Sequence, residues 1–284
     1  MGIKTPTSRV GFVSIAASIS VLVFAGAIFA QWPSLPTPGA PKTADGKVNL
    51  TGPVPRTPDG KPDFSGVWAA VGGPDGNKLP APVVDGSKAP KGDFKNMGKG
   101  GASRSLPYQP WALELYKKRL EQNSAGNPDS HCLPLNPVQL WFHPEPRKLI
   151  WSPREYIYTA EANSAFREIH MDGRPLPKAA DVQPWWYGYS VGKWDGDTLV
   201  VDTAGFLDNA WIDENGSPLT NEAHVTEKIR RPNYGTLEIE ITVDDPKTYT
   251  KPWTVLSQQV LRPGDELIEF VCENNTSLQH IVGK

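Results

Sequence analysis

Histidines and carboxylates stand two or three residues apart at several points of this chain, and such pairs are the raw material of acid–base chemistry. Glu222, His224 and Glu227 form one set: on a strand, Glu222 and His224 share a face, as a base and its orienting carboxylate would. His170 and Asp172 form a second, flanked by Arg167 and Arg174, and two arginines beside a His and an Asp can hold a carboxylate or fix a histidine's protonation state. His143-Pro144-Glu145 offers two potential metal ligands. Its two prolines, Pro144 and Pro146, favour a loop, and none of the five histidines has dense metal-ligand spacing, so no metal or cofactor is expected. A run of carboxylates from Asp195 to Glu227 invites a glycosidase reading, but turn chemistry accounts for Asp195 and Asp197. Nucleophile elbows and phosphate loops are absent from the sequence.

Aromatic side chains form the other functional signal. Trp185, Trp186 and Tyr187 are consecutive, with Tyr189, Trp194 and Trp211 close behind. Neighbouring residues of a strand face opposite ways, so Trp185 and Trp186 cannot both fill one core. At least one must meet a loop, an interface or a ligand. The expectation is that Trp185, Trp186 and Tyr187 stack on a ligand while Arg167 and Arg174 anchor its polar groups.

The elements that must position these groups are mostly strands. Gly188 to Phe206 reads as a hairpin, aromatic and β-branched on both arms, with Asp195-Gly196 as the corner pair of a type I′ turn. Further strands are expected at 148–151, 155–161, 166–171, 223–230, 236–243, 253–262 and 267–272, punctuated by Gly, Pro, Asn and Asp. One helix is expected at Trp111–Gln122, where Leu113, Tyr116 and Leu120 recur at helical spacing behind Pro110. It sits in a long insertion, about 72–146, rich at first in Gly, Pro and Lys. Many strands with short turns imply an antiparallel meander closing as a barrel, with a β-sandwich as the alternative.

Residues 1–30 read as a signal peptide or anchor: Lys4 and Arg9 precede an uncharged apolar run from Val10 to Ala30, with small residues suited to cleavage after Ala30. Left uncleaved, that run is long enough to span a bilayer. Residues 31–61 are Pro-rich linker, in which the repeated Asp-Gly-Lys at 45–47 and 59–61 reads as two turns. Residues 62–284 are one β domain. Once Lys4 and Arg9 are set aside, 31 acidic groups face 27 basic ones, a balance that argues against nucleic acid as a partner. Cys132 and Cys272 in an exported chain read first as a disulfide, against the alternative of two buried thiols.

The segments Pro62–Trp68, Gly188–Thr203, Ile229-Arg230-Arg231 and Phe270–Asn275 resemble a largely uncharacterised family of exported proteins from environmental bacteria. The block Gly-Lys-Trp-Asp-Gly-Asp-Thr-Leu-Val-Val-Asp-Thr carries most of that likeness, which implies export and a shared fold and assigns no activity. Gly66-Val67-Trp68 is similar to the Gly-x-Trp that opens the first strand of lipocalin-like (calycin) barrels. That resemblance implies a Trp68 plugging a closed barrel end against a late basic residue, here Arg262. The insertion after the first strand departs from the calycin pattern.

Together these readings predict a periplasmic or secreted barrel that binds a small hydrophobic or aromatic molecule. Two other readings stay open: an exported lyase, isomerase or hydrolase using a His–carboxylate pair, and an envelope protein-interaction module.

Overall fold

A closed ring of nine strands forms the body of the protein, as seen in a computed structural model describing residues 2, 37–72, 76–99, 106–178, 181 and 183–272. In chain order the strands are β1 (Gly66–Ala70), β2 (Arg147–Trp151), β3 (Glu155–Ala160), β4 (Ala165–His170), β5 (Tyr189–Asp195), β6 (Thr198–Ala204), the short β7 (Ala210–Trp211) and β8 (Pro218–Leu219), β9 (His224–Asn233), β10 (Thr236–Asp244) and β11 (Trp253–Leu261). Around the ring the order is β1-β11-β10-β9-β6-β5-β4-β3-β2, while β7 and β8 pair with each other outside it. The fold is therefore a barrel and not a sandwich. The signal segment 1–30 and its cleavage point, apart from Gly2, lie outside the described residues.

An odd number of strands cannot alternate direction all the way round a ring, so one neighbouring pair must run parallel. That pair is β4–β5, and its ladder has only two registered positions, Ile169 with Ser190 and His170 with Val191. Parallel neighbours need a long crossover, supplied by residues 171–188. The expected meander is thus interrupted at one seam.

Alternation along each strand decides the lumen. Val225, Glu227, Ile229 and Arg231 on β9 are buried, as are Leu237, Ile239, Ile241 and Val243 on β10. With Trp68, Tyr156, Tyr158 and Leu149 they make a filled core. One end is closed by Trp68, whose indole N–H donates to the Phe64 carbonyl at 2.9 Å. The cation over its ring is Arg231 of β9, 4.9 Å from the centroid. Arg262, the expected partner, instead bonds Asp265 and Asn77. The aligned register explains this: inward-facing Arg231 lies in the lumen, whereas Arg262 follows the last residue of β11. Burial lowers the Arg231 pKa to about 10, and its donors are met by the carbonyls of Asp63 and Tyr234.

The β5–β6 hairpin forms as expected, with its corner shifted by one residue. Asp195 pairs with Thr198, so the two corner residues are Gly196 and Asp197. Only Gly196 has positive φ, 58°, the pattern of a type II′ turn and not type I′. The helix α1 spans Pro110–Glu121, and its Arg119 lies 4.3 Å from the Trp211 ring centroid. No strand forms at 267–272; that stretch is tied down instead, Ile268 N–H donating to Glu161 at 2.9 Å.

Residues 41–68, partly assigned above to a linker, hold a tandem repeat of fourteen-residue periodicity: Pro41-Lys-Thr-Ala-Asp-Gly-Lys-Val-Asn-Leu-Thr-Gly and Pro55-Arg-Thr-Pro-Asp-Gly-Lys-Pro-Asp-Phe-Ser-Gly. Both copies fold alike. Thr43 and Thr57 N–H donate to the carbonyls of Lys47 and Lys61, each at 2.9 Å, and Gly46 and Gly60 N–H donate back to Thr43 and Thr57. The first copy docks on the β9–β10 turn, Gly235 N–H donating to Leu50 at 2.7 Å. The second grips the β5–β6 turn through Arg56 to Asp197 and Lys61 to the Gly196 carbonyl.

Cys132 and Cys272 are joined, closing a loop with a sequence separation of 140. In the chain-entropy picture such a loop contributes roughly 4–5 kcal/mol through the unfolded state. Replacing both cysteines by serine is expected to lower the unfolding free energy by about that amount in urea titrations, with the barrel's circular dichroism unchanged. Equal stability of the two proteins would contradict the estimate.

Candidate functional site

The residues proposed from sequence separate into an inner and an outer group, because successive residues of a strand face opposite sides. Arg167 points into the lumen, whereas His170, an odd three residues further on, points out. Inside, Arg167 makes a paired contact with Glu227 of β9, both side chains being at most 1% exposed. The same guanidinium donates to Ser190 at 3.0 Å and Thr203 at 2.9 Å. One side chain thus joins β4 to β5, β6 and β9 beside the parallel seam.

The fourth partner of this cluster comes from the insertion. The short helix α2 (Pro137–Leu140) carries Trp141 into the lumen, where its indole N–H donates to Glu227. The Trp141 ring meets Tyr158 edge-on at 5.0 Å, and the Tyr158 hydroxyl donates to the Leu140 carbonyl. Burial pushes the Tyr158 pKa up to about 12. Arg147 of β2 completes the plug, its guanidinium donating to the carbonyls of Trp141, His143 and Glu145. The lumen at this level is packed, so Glu227 and Arg167 are placed as anchors for a plug.

Outside, Arg174 clamps Asp172 and donates to the Tyr189 hydroxyl at 2.7 Å. His170 lies 5.0 Å from the Tyr189 ring, and exposed Trp185 lies 6.5 Å from it. Trp186 and Tyr187 are half-buried, Tyr187 against the core. Arg167 and Arg174 therefore do not line one pocket. The His224 set is also divided: His224 lies 3.4 Å from Asp202 and Glu222 pairs with Lys247 at 2.9 Å, while Glu227 is in the lumen. Asp213, from the same acidic run, accepts from Met97, Gly216 and Ser217 N–H and from the Ser217 hydroxyl. It is structural.

A ligand-sized concavity lies on the barrel wall. A groove of about 400 Å³ runs between the end of β1, the middle of β11, the segment 91–95, and Phe142 and Pro144. Phe94, Phe142, Leu256 and Val71 supply apolar walls, and Lys91, Lys95 and Asp93 supply charge. Its walls are fixed by backbone hydrogen bonds: Val71 to Gln258, Gly92 to Leu256, and Glu214 and Asn215 to Phe94 and Lys95. Sequence reasoning missed it, since these positions come from four distant segments with no shared motif.

Behind the groove, His143 is buried with a carboxylate at each ring nitrogen, Asp129 at 3.1 Å on Nε2 and Glu145 on Nδ1. Phe94 covers it edge-on at 4.7 Å. Among the described residues no set of three His, Cys, Asp or Glu side chains is arranged to hold a metal ion. No protein-family model matches the chain, and no curated protein matches it at a significant level.

Two measurements follow from this geometry. Glu227→Ala leaves a buried guanidinium unpaired and is expected to cost about 3–5 kcal/mol in denaturant unfolding, whereas Arg167→Met with Glu227→Leu restores much of the loss. A single variant as stable as the parent would show the pair to be dispensable. For His143, burial pulls the pKa down, but hydrogen bonds to the carboxylates of Asp129 and Glu145 and their charges outweigh it, so the pKa is raised above 6.5. Its stabilisation is complete below pH 6.5 and is lost as pH rises through the raised value. Glu145 is opposed by burial but held below 4.5 by His143, so its contribution is present above pH 4.5 and lost as pH falls through the lowered value. The stability gap between the parent and His143→Gln should therefore be widest between pH 4.5 and 6.5 and should narrow as pH rises through the raised His143 value. A gap independent of pH would remove the ion pairs from the account.

Proposed function

We propose that this is an exported small-molecule-binding protein whose ligand site is the groove on the barrel wall. The observation that carries this reading is a preformed concavity of about 400 Å³, within the range of small-ligand sites, with aromatic walls and a few charged groups. Two lysines against one aspartate at the rim favour a ligand with an apolar or aromatic body and an anionic group. The filled lumen argues against ligand uptake through the barrel's interior, the usual place in such folds.

Export is supported by the basic and then apolar N-terminal sequence and by the Cys132–Cys272 bond, since disulfides persist in oxidising compartments. The acid–base reading has less support: Asp172 is taken by Arg174 and not by His170, His224 meets Asp202 on the outer surface, and His143 is enclosed by two carboxylates.

The test uses protein recovered from a periplasmic fraction, whose mass should correspond to a chain starting at Gln31. Calorimetry against aromatic carboxylates and medium-chain fatty acids should find binding that Val71→Trp, which fills the groove, weakens by at least about tenfold. The charge-reversing pair Lys91→Glu and Lys95→Glu should weaken acids more than their neutral amides, most clearly at low salt. Binding that ignores Val71→Trp, or no binding across the panel, would overturn the assignment.

A further inference from the structure

Away from the groove, the outer face beside the β4–β5 seam carries three neighbouring rings, exposed Trp185 and the half-buried Tyr189 and His170. Trp185 is 51% exposed, yet its backbone is held firmly: its N–H donates to Gly205 at 2.9 Å, and its carbonyl accepts from Leu207 at 3.0 Å and Gly188 at 3.2 Å. The indole is thus presented to solvent from fixed chain. Tyr189 comes next, 6.5 Å away, and His170 follows at 5.0 Å, making a row of three rings. The plane of Tyr189 is set through its hydroxyl, which takes a hydrogen bond from Arg174 at 2.7 Å, and Arg174 is itself clamped by Asp172 through contacts of 2.6 to 3.1 Å. An exposed ion pair contributes little to stability. Here it orients a ring.

The chemistry of the face selects among ligands that stack. Nucleobases come with phosphates, which need unpaired cations. Arg174 is already neutralised by Asp172, and exposed Glu168 shares the outer face of β4. A wholly apolar ligand would leave the Asp172–Arg174 flank unused. A pyranose has both required parts: an apolar face of C–H groups to lie on the rings, and hydroxyls at its edge to reach a carboxylate and a guanidinium. We propose that Trp185, Tyr189 and His170 form a carbohydrate-binding ledge, with Asp172 and Arg174 as its polar edge, that takes successive sugar rings of a neutral glycan. This site is separate from the groove and does not depend on it.

The experiment titrates cellohexaose, chitohexaose and laminarihexaose into the full exported chain, following tryptophan fluorescence and calorimetry. At least one glycan should bind with Kd at or below about 1 mM. Trp185→Ala should weaken it by at least about tenfold, Tyr189→Phe, which keeps the ring, by less than Tyr189→Ala, and Val71→Trp not at all. Thermal midpoints of all variants report folding, and Trp185, being exposed, should tolerate substitution. Failure of all three glycans at 1 mM, or binding that survives Trp185→Ala, would overturn the ledge while leaving the groove assignment untouched.

Discussion

The carboxylate of Glu227 is the point on which this barrel depends. It lies at the level where the ring has its weakest pairing and where the insertion enters the lumen, and it serves both. Through Arg167 it draws β4, β5, β6 and β9 together beside a parallel seam with two registered positions; through the Trp141 indole it fixes the plug. An ion pair this deeply buried gains less over an apolar replacement than its short contacts suggest, because both charges lose their water. Its value is geometric. A planar guanidinium meeting a carboxylate side by side admits one mutual orientation, so it sets how the seam closes and how far Trp141 enters.

A filled lumen moves binding to the outside. In small barrels the interior either packs solid or holds one ligand, and Trp141, Tyr158, Arg147 and the Arg167–Glu227 pair choose the first outcome here. The insertion that fills the lumen also creates the alternative site. Its 91–95 segment is bonded along β11 and to Glu214 and Asn215, and it leaves with Phe142 a slot between the end of β1 and the middle of β11. Plug and groove are two consequences of the same excursion between β1 and β2.

Local patterns were readable from the residues, and contacts between distant segments were not. The β5–β6 hairpin, the helix at Pro110–Glu121, the alternation of β10 and the Cys132–Cys272 pair all announce themselves through composition within a few residues or through counting. The turn type depends on one residue of register, Asp195 pairing with Thr198, and alternation alone does not fix register at a hairpin tip. The partner of Trp68 depends on which arginine faces inward at the barrel's closed end; Arg231 and Arg262 both suit the chemistry, and only the completed ring distinguishes them. The parallel seam is topological, a result of the number nine, and no residue encodes it. Of the candidate site residues, Asp172 and Arg174 do meet, and Arg174, His170 and Trp185 each approach Tyr189 beside the seam; Arg167 and Glu227 meet each other instead, since alternation turns them inward.

The tandem repeat shows how the closed end is built from a reusable part. Each copy folds a Thr-x-Asp-Gly-Lys corner through local hydrogen bonds, so its shape needs nothing from the barrel. What differs is the surface each copy meets: the first touches the β9–β10 turn, and the second holds the β5–β6 turn through Arg56 and Lys61 before leading through Phe64 into β1. Two hairpin tips that would otherwise move independently are thereby tied to one stretch of chain, next to the Trp68–Arg231 closure. Because the motif is locally determined, its proline-rich composition looks like a linker when read residue by residue; periodicity, not composition, is the signal that such a segment is structured.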